Sequence, residues 1–421
     1  MGHSPAVSPR VNPPTSATNS ILHPKAKALA LLNSNNSSAS SMTAASSPGE
    51  PSLDLAEQMN QKIRDSYVLG ALLGSGTYAN VYAGHYRSDP TRLVAVKKIK
   101  INKDWKDGMP MDAIREIRVL QELSHPHVIR LHDVYSTKNQ QICMVLEHLP
   151  LGDLEQLWKN TAITYSAADV KSWANMICQG VWWTHENFIL HRDIKGNNLL
   201  IAADGTIKLA DFGLARPFAD PNSRRPMTRD VITTYYRPPE LFYGARFYSS
   251  KVDVWSVGVV ICELVIRNFF LPGNTDIESI TMISDLLGPP TEESWPGVTK
   301  LPNFIDLAPK NTGGPRNVLP PRKGQPLAWW RSRLALIGDD GIDVVRGMLT
   351  ADPKKRLDSK QVLQHAYWTN TPRPTEPALL PRKGGGEKKM AEDLKRRAGE
   401  AETTNRGEKI ARKLDFASMA K

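Results

Sequence analysis

The chain has 421 residues and a formal net charge of +11, and its three cysteines lack the paired spacing of a disulfide framework or a zinc site. Its most apolar stretch, residues 252–270, carries Asp253, Glu263 and Arg267, which are costly in a bilayer, so we expect no insertion into a membrane. About half of the net positive charge, +5 of +11, lies in a tail without interleaved aromatic residues, so we expect no direct binding of nucleic acid.

The two ends of the chain have the composition of flexible segments. Residues 1–62 are rich in Ser, Asn, Pro and Ala, which cannot bury enough apolar surface to offset the entropy of ordering, and we predict a disordered arm. Residues 373–421 are predicted to form a basic flexible tail, with twelve Lys or Arg against seven Asp or Glu from residue 382 onward. This tail fits a nuclear-import signal, an electrostatic tether or plain solvated disorder.

Between these ends the pattern predicts an α+β fold of two lobes. Residues 63–148 are expected to form a small β-rich N-lobe, and residues 149–372 a larger, mainly helical C-lobe. Strands are predicted at residues 68–73, 81–84, 93–99 and 142–146, and helices at residues 111–123, 167–187, 252–267, 277–287 and 341–349. Residues 291–330, dense in Pro and Gly, are predicted to be an inserted loop region.

In the predicted N-lobe, a glycine-rich turn is followed by a strand. Gly74 and Gly76 allow the backbone to lie close over phosphate groups, and the strand at Val81 argues against a dinucleotide-binding turn, which opens a helix. Lys97 stands on a later strand among apolar residues, so we expect it to reach into a cleft toward phosphates. Glu116 on the next helix is its predicted ion-pair partner.

In the predicted C-lobe, two short motifs carry the chemistry. Residues 191–198 read His-Arg-Asp-Ile-Lys-Gly-Asn-Asn, and residues 211–213 read Asp-Phe-Gly. Phosphoryl transfer requires positioned carboxylates, cations and metal ions around an in-line displacement, and these motifs supply them. We interpret Asp193 as the base that accepts the substrate hydroxyl proton and Lys195 as the cation that neutralises the transferred group. Asn198 and Asp211 are expected to hold magnesium.

The order of these motifs, with Pro239-Glu240 and residues 253–258 downstream, resembles the protein kinase family over residues 67–368. The resemblance implies the bilobal fold and the use of ATP with Mg²⁺. The implied nucleotide-binding residues are Gly74, Gly76, Val81, Ala95, Lys97, Glu147, Leu149, Asn198 and Asp211. A non-catalytic pseudokinase is disfavoured, because it should have lost the lysine or one of the two aspartates. His191 and Phe212 are interpreted as packing residues.

A closer resemblance comes from residues 110–116, Pro-Met-Asp-Ala-Ile-Arg-Glu, which look like the cyclin-contacting helix of cyclin-dependent kinases. Ala79, Asn197-Asn198 and residues 244–248 are most similar to the branch that activates other cyclin-dependent kinases. This similarity implies a cyclin partner of the H type, an assembly factor and membership of transcription factor IIH. It also implies a nuclear location with a cytoplasmic pool, and two substrates: activation loops of other cyclin-dependent kinases and Ser-Pro repeats of the RNA polymerase II tail.

The same resemblance assigns regulatory and substrate-binding residues. Thr228 matches the activating phosphothreonine, and Arg115, Arg192 and Arg216 match the arginines that receive its phosphate. Arg237 matches an arginine that shapes a proline-accepting pocket, and Thr233 a threonine that bridges Asp193 and Lys195. Gly196 stands where the family usually has proline, and Thr234-Tyr235 departs from the usual Arg-Trp or Leu-Trp pair, which leaves substrate preference open.

Two related enzymes remain to be weighed. Thr228 is followed by Arg229-Asp230 rather than by a Thr-x-Tyr switch, which argues against a mitogen-activated kinase. A cell-cycle cyclin-dependent kinase stays open.

Overall fold

The computed structural model describes residues 55–76, 78–100, 111–218, 227, 232–307 and 323–382. They belong to one compact unit that begins at Leu55. Within these residues no helix combines the length and apolar character needed to cross a bilayer. The predicted two-lobed α+β architecture is confirmed.

The N-lobe contains a five-stranded antiparallel sheet in the order β1-β2-β3-β5-β4. Its strands are β1 (Tyr67–Ser75), β2 (Ala79–Tyr86), β3 (Asp89–Ile99), β4 (Leu131–Ser136) and β5 (Ile142–Glu147), and helix Met111–Glu122 lies between β3 and β4 in the chain. Strand β4 is absent from the sequence-predicted strands, because its Leu-His-Asp-Val-Tyr-Ser sequence lacks a clear apolar alternation.

The two-residue period of a strand gives the sheet two apolar faces. On β3, Ala95 belongs to the main core that faces the cleft, whereas Val94 and Val96 belong to a second cluster on the opposite face. The pairing partner of Val96 on β5 is Val145, which is also fully buried. Both faces of this small sheet are therefore buried, so an element outside the sheet must pack on the face that carries the second cluster.

The cover is helix α1 (Leu55–Asp65), which packs Ile63 against the second cluster. Asn60 of the same helix exchanges two hydrogen bonds with the backbone of Ser136, accepting from its N–H at 2.7 Å and donating to its carbonyl at 3.2 Å. These bonds satisfy main-chain groups at the end of the edge strand β4. The predicted start of the N-lobe at residue 63 therefore lies too late, because this helix begins inside the predicted disordered arm.

The C-lobe is mainly helical, and the N-lobe helix Met111–Glu122 is numbered α2. The C-lobe helices are α3 (Leu154–Lys159), α4 (Ala167–Glu186), α5 (Pro239–Phe242), α6 (Lys251–Ile266), α7 (Asp276–Leu287), α8 (Leu327–Arg333), α9 (Gly338–Met348) and α10 (Ser359–Leu363). Two short antiparallel pairs join β6 (Ile189–Leu190) to β9 (Arg216–Pro217) and β7 (Leu199–Ile201) to β8 (Ile207–Leu209).

The first four residues of helix α8 lie in the region that the sequence predicts to be loop. Its Trp330 is buried with 1% exposure, so packing of one large aromatic side chain stabilises a helix in a segment whose Pro and Gly content favours loops. The predicted loop over residues 291–330 is wrong at this helix.

The C-lobe core surrounds helix α6, which is buried on nearly all sides. Beside it, Arg356 donates two hydrogen bonds to the carboxylate of Glu240, at 2.7 and 2.8 Å, with both side chains buried. This bidentate pair fixes α5, which carries the Pro239-Glu240 motif, against the base of the lobe.

The packed part of the chain continues past the predicted boundary at residue 372. Thr375 donates a hydrogen bond of 2.6 Å to Asp169 of α4, and Leu380 is buried with 3% exposure. The predicted flexible tail therefore begins too early, because the segment up to Arg382 lies against the C-lobe.

Candidate active site

One buried carboxylate fixes the backbone at the start of the 191–198 loop. Asp253 of α6 accepts hydrogen bonds from the backbone N–H groups of His191 at 2.9 Å and Arg192 at 2.8 Å, and from His185 Nε2 at 2.9 Å. Burial by itself would raise the pKa of the Asp253 carboxyl, but the hydrogen bonds from His185 and from the backbone of Arg192 contribute to lowering it overall. Arg192 has a left-handed backbone with φ of 66°, which this carboxylate holds in place.

His191 connects this loop to the 211–213 turn. Its Nδ1 accepts from the backbone N–H of Asp193 at 3.2 Å, so its Nε2 carries the proton and donates to the carbonyl of Ala210 at 3.0 Å. Burial lowers the pKa of His191, in keeping with a neutral ring. The ring packs edge-on against Phe212 at 4.7 Å between centroids, and both side chains are fully buried.

The structure brings Asp193, Lys195 and Thr233 together, as the resemblance implies. Asp193 Oδ1 accepts from the Thr233 hydroxyl at 2.8 Å, while Oδ2 lies 2.8 Å from Lys195 Nζ and 2.9 Å from Asn198 Nδ2. Lys195 Nζ also donates to the Thr233 hydroxyl at 3.2 Å. The carboxylate is therefore fixed by three side chains and cannot turn freely.

Gly196 has a steric reason to lack a side chain. A Cβ at this position would lie 2.9 Å from the Cβ and 3.2 Å from the backbone N of Glu155, on helix α3. Main chain cannot shift as the end of a flexible side chain can. The family's usual proline would therefore clash here, and glycine allows the close approach of α3 to the 191–198 loop.

On the N-lobe side of the cleft, Lys97 is paired with Glu116. Lys97 Nζ lies 2.9 and 2.7 Å from the two Glu116 carboxylate oxygens and 3.4 Å from Asp211 Oδ1. Burial alone would lower the pKa of Lys97, but these two carboxylates raise it above its ordinary value. The lysine is therefore held charged between β3, α2 and the 211–213 turn.

Asp211 and Asn198 have the donor atoms that magnesium requires. Asp211 has a left-handed backbone with φ of 63° and a side chain that is half exposed. Although burial opposes the effect, Lys97 lowers the pKa of this carboxyl, so it remains an anionic oxygen ligand. Asn198 uses its Nδ2 to donate to Asp193, which leaves its amide oxygen as an acceptor.

Two such oxygen ligands fit Mg²⁺, which commonly takes one or two protein ligands together with phosphate oxygens. Among the described residues no group of three or more His, Cys, Asp or Glu could bind a metal without such help.

The glycine-rich turn leaves open space above the cleft. A Cβ added at Gly74 would have no atom within 4 Å, and one at Gly76 would meet only the carbonyl of Ala79, at 3.7 Å. The turn is closed by a hydrogen bond of 2.9 Å from the N–H of Gly76 to the carbonyl of Ala79. Val81 and Ala95 pack in the main core at the cleft side of the sheet.

The linker between the lobes begins at Glu147, and Leu149 lies two positions later in the chain. The Glu147 carboxylate accepts from the backbone N–H of Arg130 at 2.7 Å and lies 3.1 Å from Lys208 Nζ. It therefore joins the end of β5 to β8 and to Arg130, the residue before β4. Leu149 packs against the main core.

Two of the three predicted phosphate-receiving arginines contact the backbone at residues 213–214. Arg115 Nη1 donates to the carbonyl of Gly213 at 2.9 Å, and Arg192 Nε to the carbonyl of Leu214 at 2.8 Å. Arg216 follows in β9. Thr228 lies outside the described residues; its neighbour Met227 donates from its N–H to the carbonyl of Arg246 at 2.9 Å.

Arg237 closes the segment that leads to α5. Its Nε and Nη2 donate to the carbonyl of Ile232 at 3.1 and 3.0 Å, and its guanidinium lies over the ring of Phe242 at 5.2 Å. That carbonyl is therefore already an acceptor for the arginine.

Sequence reasoning missed the supporting role of Asp253 and His185. The available signal was an aspartate near the start of an apolar helix, where an unpaired charge would be too costly. His185 lies near the end of α4, before the 191–198 loop in the chain. Its contact with Asp253 joins residues 68 positions apart, which no local pattern reveals.

Comparisons with known proteins find similarity to protein kinases. The protein kinase domain model matches residues 67–368. Serine/threonine-protein kinase crk1 of Schizosaccharomyces pombe is 42% identical over 79% of this chain and 93% of its own length. Cyclin-dependent kinase 7 of Xenopus laevis is 38% identical over 82% of this chain and 94% of its own length.

A solved structure is also similar. A chain from the CAK complex of Chaetomium thermophilum, bound to ATP-gamma-S, matches with a TM-score of 0.73 and 50% sequence identity, over 79% of the present chain and 100% of that chain.

Proposed function

The chain belongs to the protein kinase family, as a serine/threonine kinase of the cyclin-dependent type that uses ATP, and we propose which of its residues perform the reaction. The observation that carries the proposal is the fixed Asp193 carboxylate, held by Thr233, Asn198 and Lys195. A carboxylate so oriented can accept the proton of a substrate hydroxyl as that oxygen bonds to the terminal phosphorus of ATP and the bond from this phosphorus to ADP breaks.

The cations around Asp193 complete the arrangement. Lys195 offsets negative charge on the transferred phosphoryl group, and Lys97 binds the phosphates that remain with the nucleotide. Asn198 and Asp211 would hold Mg²⁺, which would offset the negative charge of the phosphates when bound. The glycine-rich turn at Gly74 and Gly76 covers the phosphates, Val81 and Ala95 contact the nucleotide base, and the main chain of Glu147 and Leu149 supplies hydrogen-bonding groups beside it.

A cyclin is the proposed partner, of the H type, within a complex related to transcription factor IIH and containing an assembly factor. The outer side of α2 supports this proposal, because Met111 and Ile114 expose 67% and 38% of their surfaces beside the helix that carries Glu116. A partner bound there would hold the helix in the position in which Glu116 pairs with Lys97.

This partner surface can be tested by Ile114→Glu. The change should weaken cyclin binding about tenfold or more while leaving the melting temperature of the isolated chain unchanged, since Ile114 is partly exposed. Met59→Glu, which alters an exposed apolar residue on α1, is the matched control and should bind the cyclin normally. Equal binding by both variants would contradict a cyclin contact at α2.

The proposed substrates are activation loops of other cyclin-dependent kinases and Ser-Pro repeats of the RNA polymerase II tail, and the proposed location is the nucleus with a cytoplasmic pool. The curated relatives named cyclin-dependent kinase 7 and the neighbour named as a CAK complex support this choice. Thr228 is the proposed activating phosphosite. Its phosphate would compete with the Gly213 and Leu214 carbonyls for Arg115 and Arg192, and would also attract Arg216.

A cell-cycle cyclin-dependent kinase is the alternative. Purification of the native kinase separates the two: copurifying transcription-factor subunits and phosphorylation of both substrate classes support the activating branch. A complex that contains only a cell-cycle cyclin and does not phosphorylate other cyclin-dependent kinases would rule out the activating branch.

A further inference from the structure

The segment before the Pro239-Glu240 motif, here called the substrate turn (residues 232–237), has its two ends joined by hydrogen bonds. Residues 234–236 form one turn of 3-10 helix. At one end Thr233 donates to Asp193, and at the other Arg237 donates twice to the carbonyl of Ile232. Because the turn is joined to the proposed base, its shape bears on how a substrate residue sits beside Asp193.

The chain segment that begins α7 contacts the substrate turn through two side chains. The Tyr235 hydroxyl donates to Asn274 Oδ1 at 3.1 Å, and Arg237 Nη1 lies 3.3 Å from Asp276 Oδ1. Tyr235 also packs edge-on against Phe269, with 5.4 Å between ring centroids. The two residues that flank Tyr236 are thus both attached to the same short segment.

This segment is itself well fixed. The Thr275 side chain accepts from the backbone N–H of Glu278 at 3.1 Å, and the Glu278 carboxylate accepts from the backbone N–H of Asn274 at 2.8 Å. The first bond is an N-cap that stabilises the first turn of the helix, and the second ties the residue before the cap to the same turn. Asn274 and Asp276 are therefore presented to the substrate turn from a helix end with little local freedom.

We propose that Asn274 and Asp276 are positioning residues that determine specificity, because they hold Tyr235 and Arg237 so that the substrate turn favours proline directly after the phosphorylated residue. The inference rests on the proposed Ser-Pro activity and deepens it. It also gives a role to Tyr235, whose departure from the family pattern leaves substrate preference open in the sequence.

The physical basis is the acceptor that Arg237 occupies. While Arg237 binds the Ile232 carbonyl, a residue after the phosphorylated serine finds that acceptor already in use, and leaving its N–H unpaired costs free energy. Proline has no N–H and avoids this cost. If the contacts with α7 are lost, Arg237 moves more freely and the Ile232 carbonyl becomes available as an acceptor. Peptides without proline are then phosphorylated faster.

The test compares kcat/KM for matched Ser-Pro and Ser-Ala peptides, measured on the active cyclin complex. Asp276→Asn removes the charge that holds Arg237, and Tyr235→Phe removes only the hydroxyl that reaches Asn274. Each should lower the Ser-Pro to Ser-Ala ratio by about twofold to fivefold, the size expected for one exposed ion pair or hydrogen bond. The change should come mainly from faster reaction of the Ser-Ala peptide.

Tyr165→Phe is the matched control. Its hydroxyl donates to the carbonyl of Leu264 at 2.6 Å, so the variant loses a bond of the same kind away from the substrate turn. It should keep the wild-type ratio. Asn274→Ala serves as an independent variant should Asp276→Asn fail to fold, which thermal melting of each protein detects.

An unchanged ratio in Tyr235→Phe, Asn274→Ala and Asp276→Asn overturns the inference, as does an equal loss of rate on both peptides or an equal change in Tyr165→Phe. If the wild-type complex itself shows no preference for proline, the proposed Ser-Pro activity is what fails, and the inference falls with it. Faster reaction with Ser-Ala in the three variants alone supports the role of α7.

Discussion

Two carboxylates on helix α6 are equally buried but have opposite electrostatic character. Asp253, near the start of the helix, accepts three hydrogen bonds from His185 and the backbone of the 191–198 loop, and its pKa is lowered. Glu263, near the end, accepts from Tyr236 at 2.9 Å, and burial raises its pKa to about 8. Within the described residues its Oε1 has no hydrogen-bond partner.

The difference shows that burial alone does not set the charge of a side chain. Both residues are 0% exposed, so loss of water affects them alike. What separates them is the number of donors directed at each carboxylate, which stabilises the anion at Asp253 and fails to do so at Glu263. One end of α6 therefore offers a fixed negative charge to the catalytic loop, and the other offers a group that is mostly neutral at pH 7.

The largest effect is expected from Asp253→Ala. The change leaves His185 and two backbone N–H groups without their acceptor, so the free energy of unfolding should fall by about 3–5 kcal/mol and phosphoryl transfer should be lost with it. Denaturant unfolding measures this. Asp343→Ala is the control, since Asp343 is an exposed aspartate 3.2 Å from His365, and it should cost less than about 1 kcal/mol. Similar costs for both variants would contradict the comparison.

Asp193→Asn should separate chemistry from stability. Asparagine keeps an oxygen for the Thr233 hydroxyl but cannot act as the base, so the single-turnover rate at saturating ATP and Mg²⁺ should fall by about 10²–10⁴. The melting temperature should change little, because the backbone of the loop is still held by Asp253. A fully active Asp193→Asn enzyme would refute the assignment of the base.

Glu263→Gln tests the other end of α6 through pH. In the folded protein Glu263 keeps its proton up to about pH 8, whereas in the unfolded chain it releases the proton near pH 4.5. The contribution of this group to stability is therefore fully present below pH 4.5 and is lost as the pH rises through about 8. Glutamine mimics the protonated form. The variant should have the same melting temperature as the wild type at pH 5 and a higher one than the wild type at pH 9. A constant difference in melting temperature across this range would argue against a neutral Glu263.

Glu116→Gln extends the comparison to a buried carboxylate whose main partner is a charged side chain, Lys97, on another element. Loss of this charge-assisted contact is worth about 1.5–3 kcal/mol, so kcat/KM of the cyclin complex should fall by roughly tenfold to a hundredfold. Unfolding should be affected less than in Asp253→Ala, because the contact links β3 to a helix with an exposed outer face. A stability loss as large as that of Asp253→Ala would show that α2 is fixed as firmly as the C-lobe core.

Much of the fold was predictable because it follows from local periodicity. The helical spacing in α4, α6, α7 and α9 and the β-rich pattern of β1 and β3 predicted these elements with ends that differ by a few residues from those observed. Helix α1 and helix α8 were missed for one reason: each forms because a few side chains, Ile63 and Trp330, find a surface made by distant parts of the chain.

The residues of the site were predictable because the reaction demands particular groups at particular spacings. Asp193, Lys195 and Asn198 lie within one short loop, so the chain itself keeps them close. The distances that make them useful, such as 2.8 Å from Thr233 to Asp193, depend on a turn 40 residues away. No local pattern contains that information.

The sequence by itself determined which chemistry the chain can perform, because residue type decides which groups can donate a proton, bind phosphate or hold magnesium. Only the tertiary structure decided the charge state and orientation of these groups. Burial and hydrogen bonding act over a few ångströms in space, and the fold brings together residues far apart in the chain, as it does Asp253 with His185 and Asp276 with Arg237.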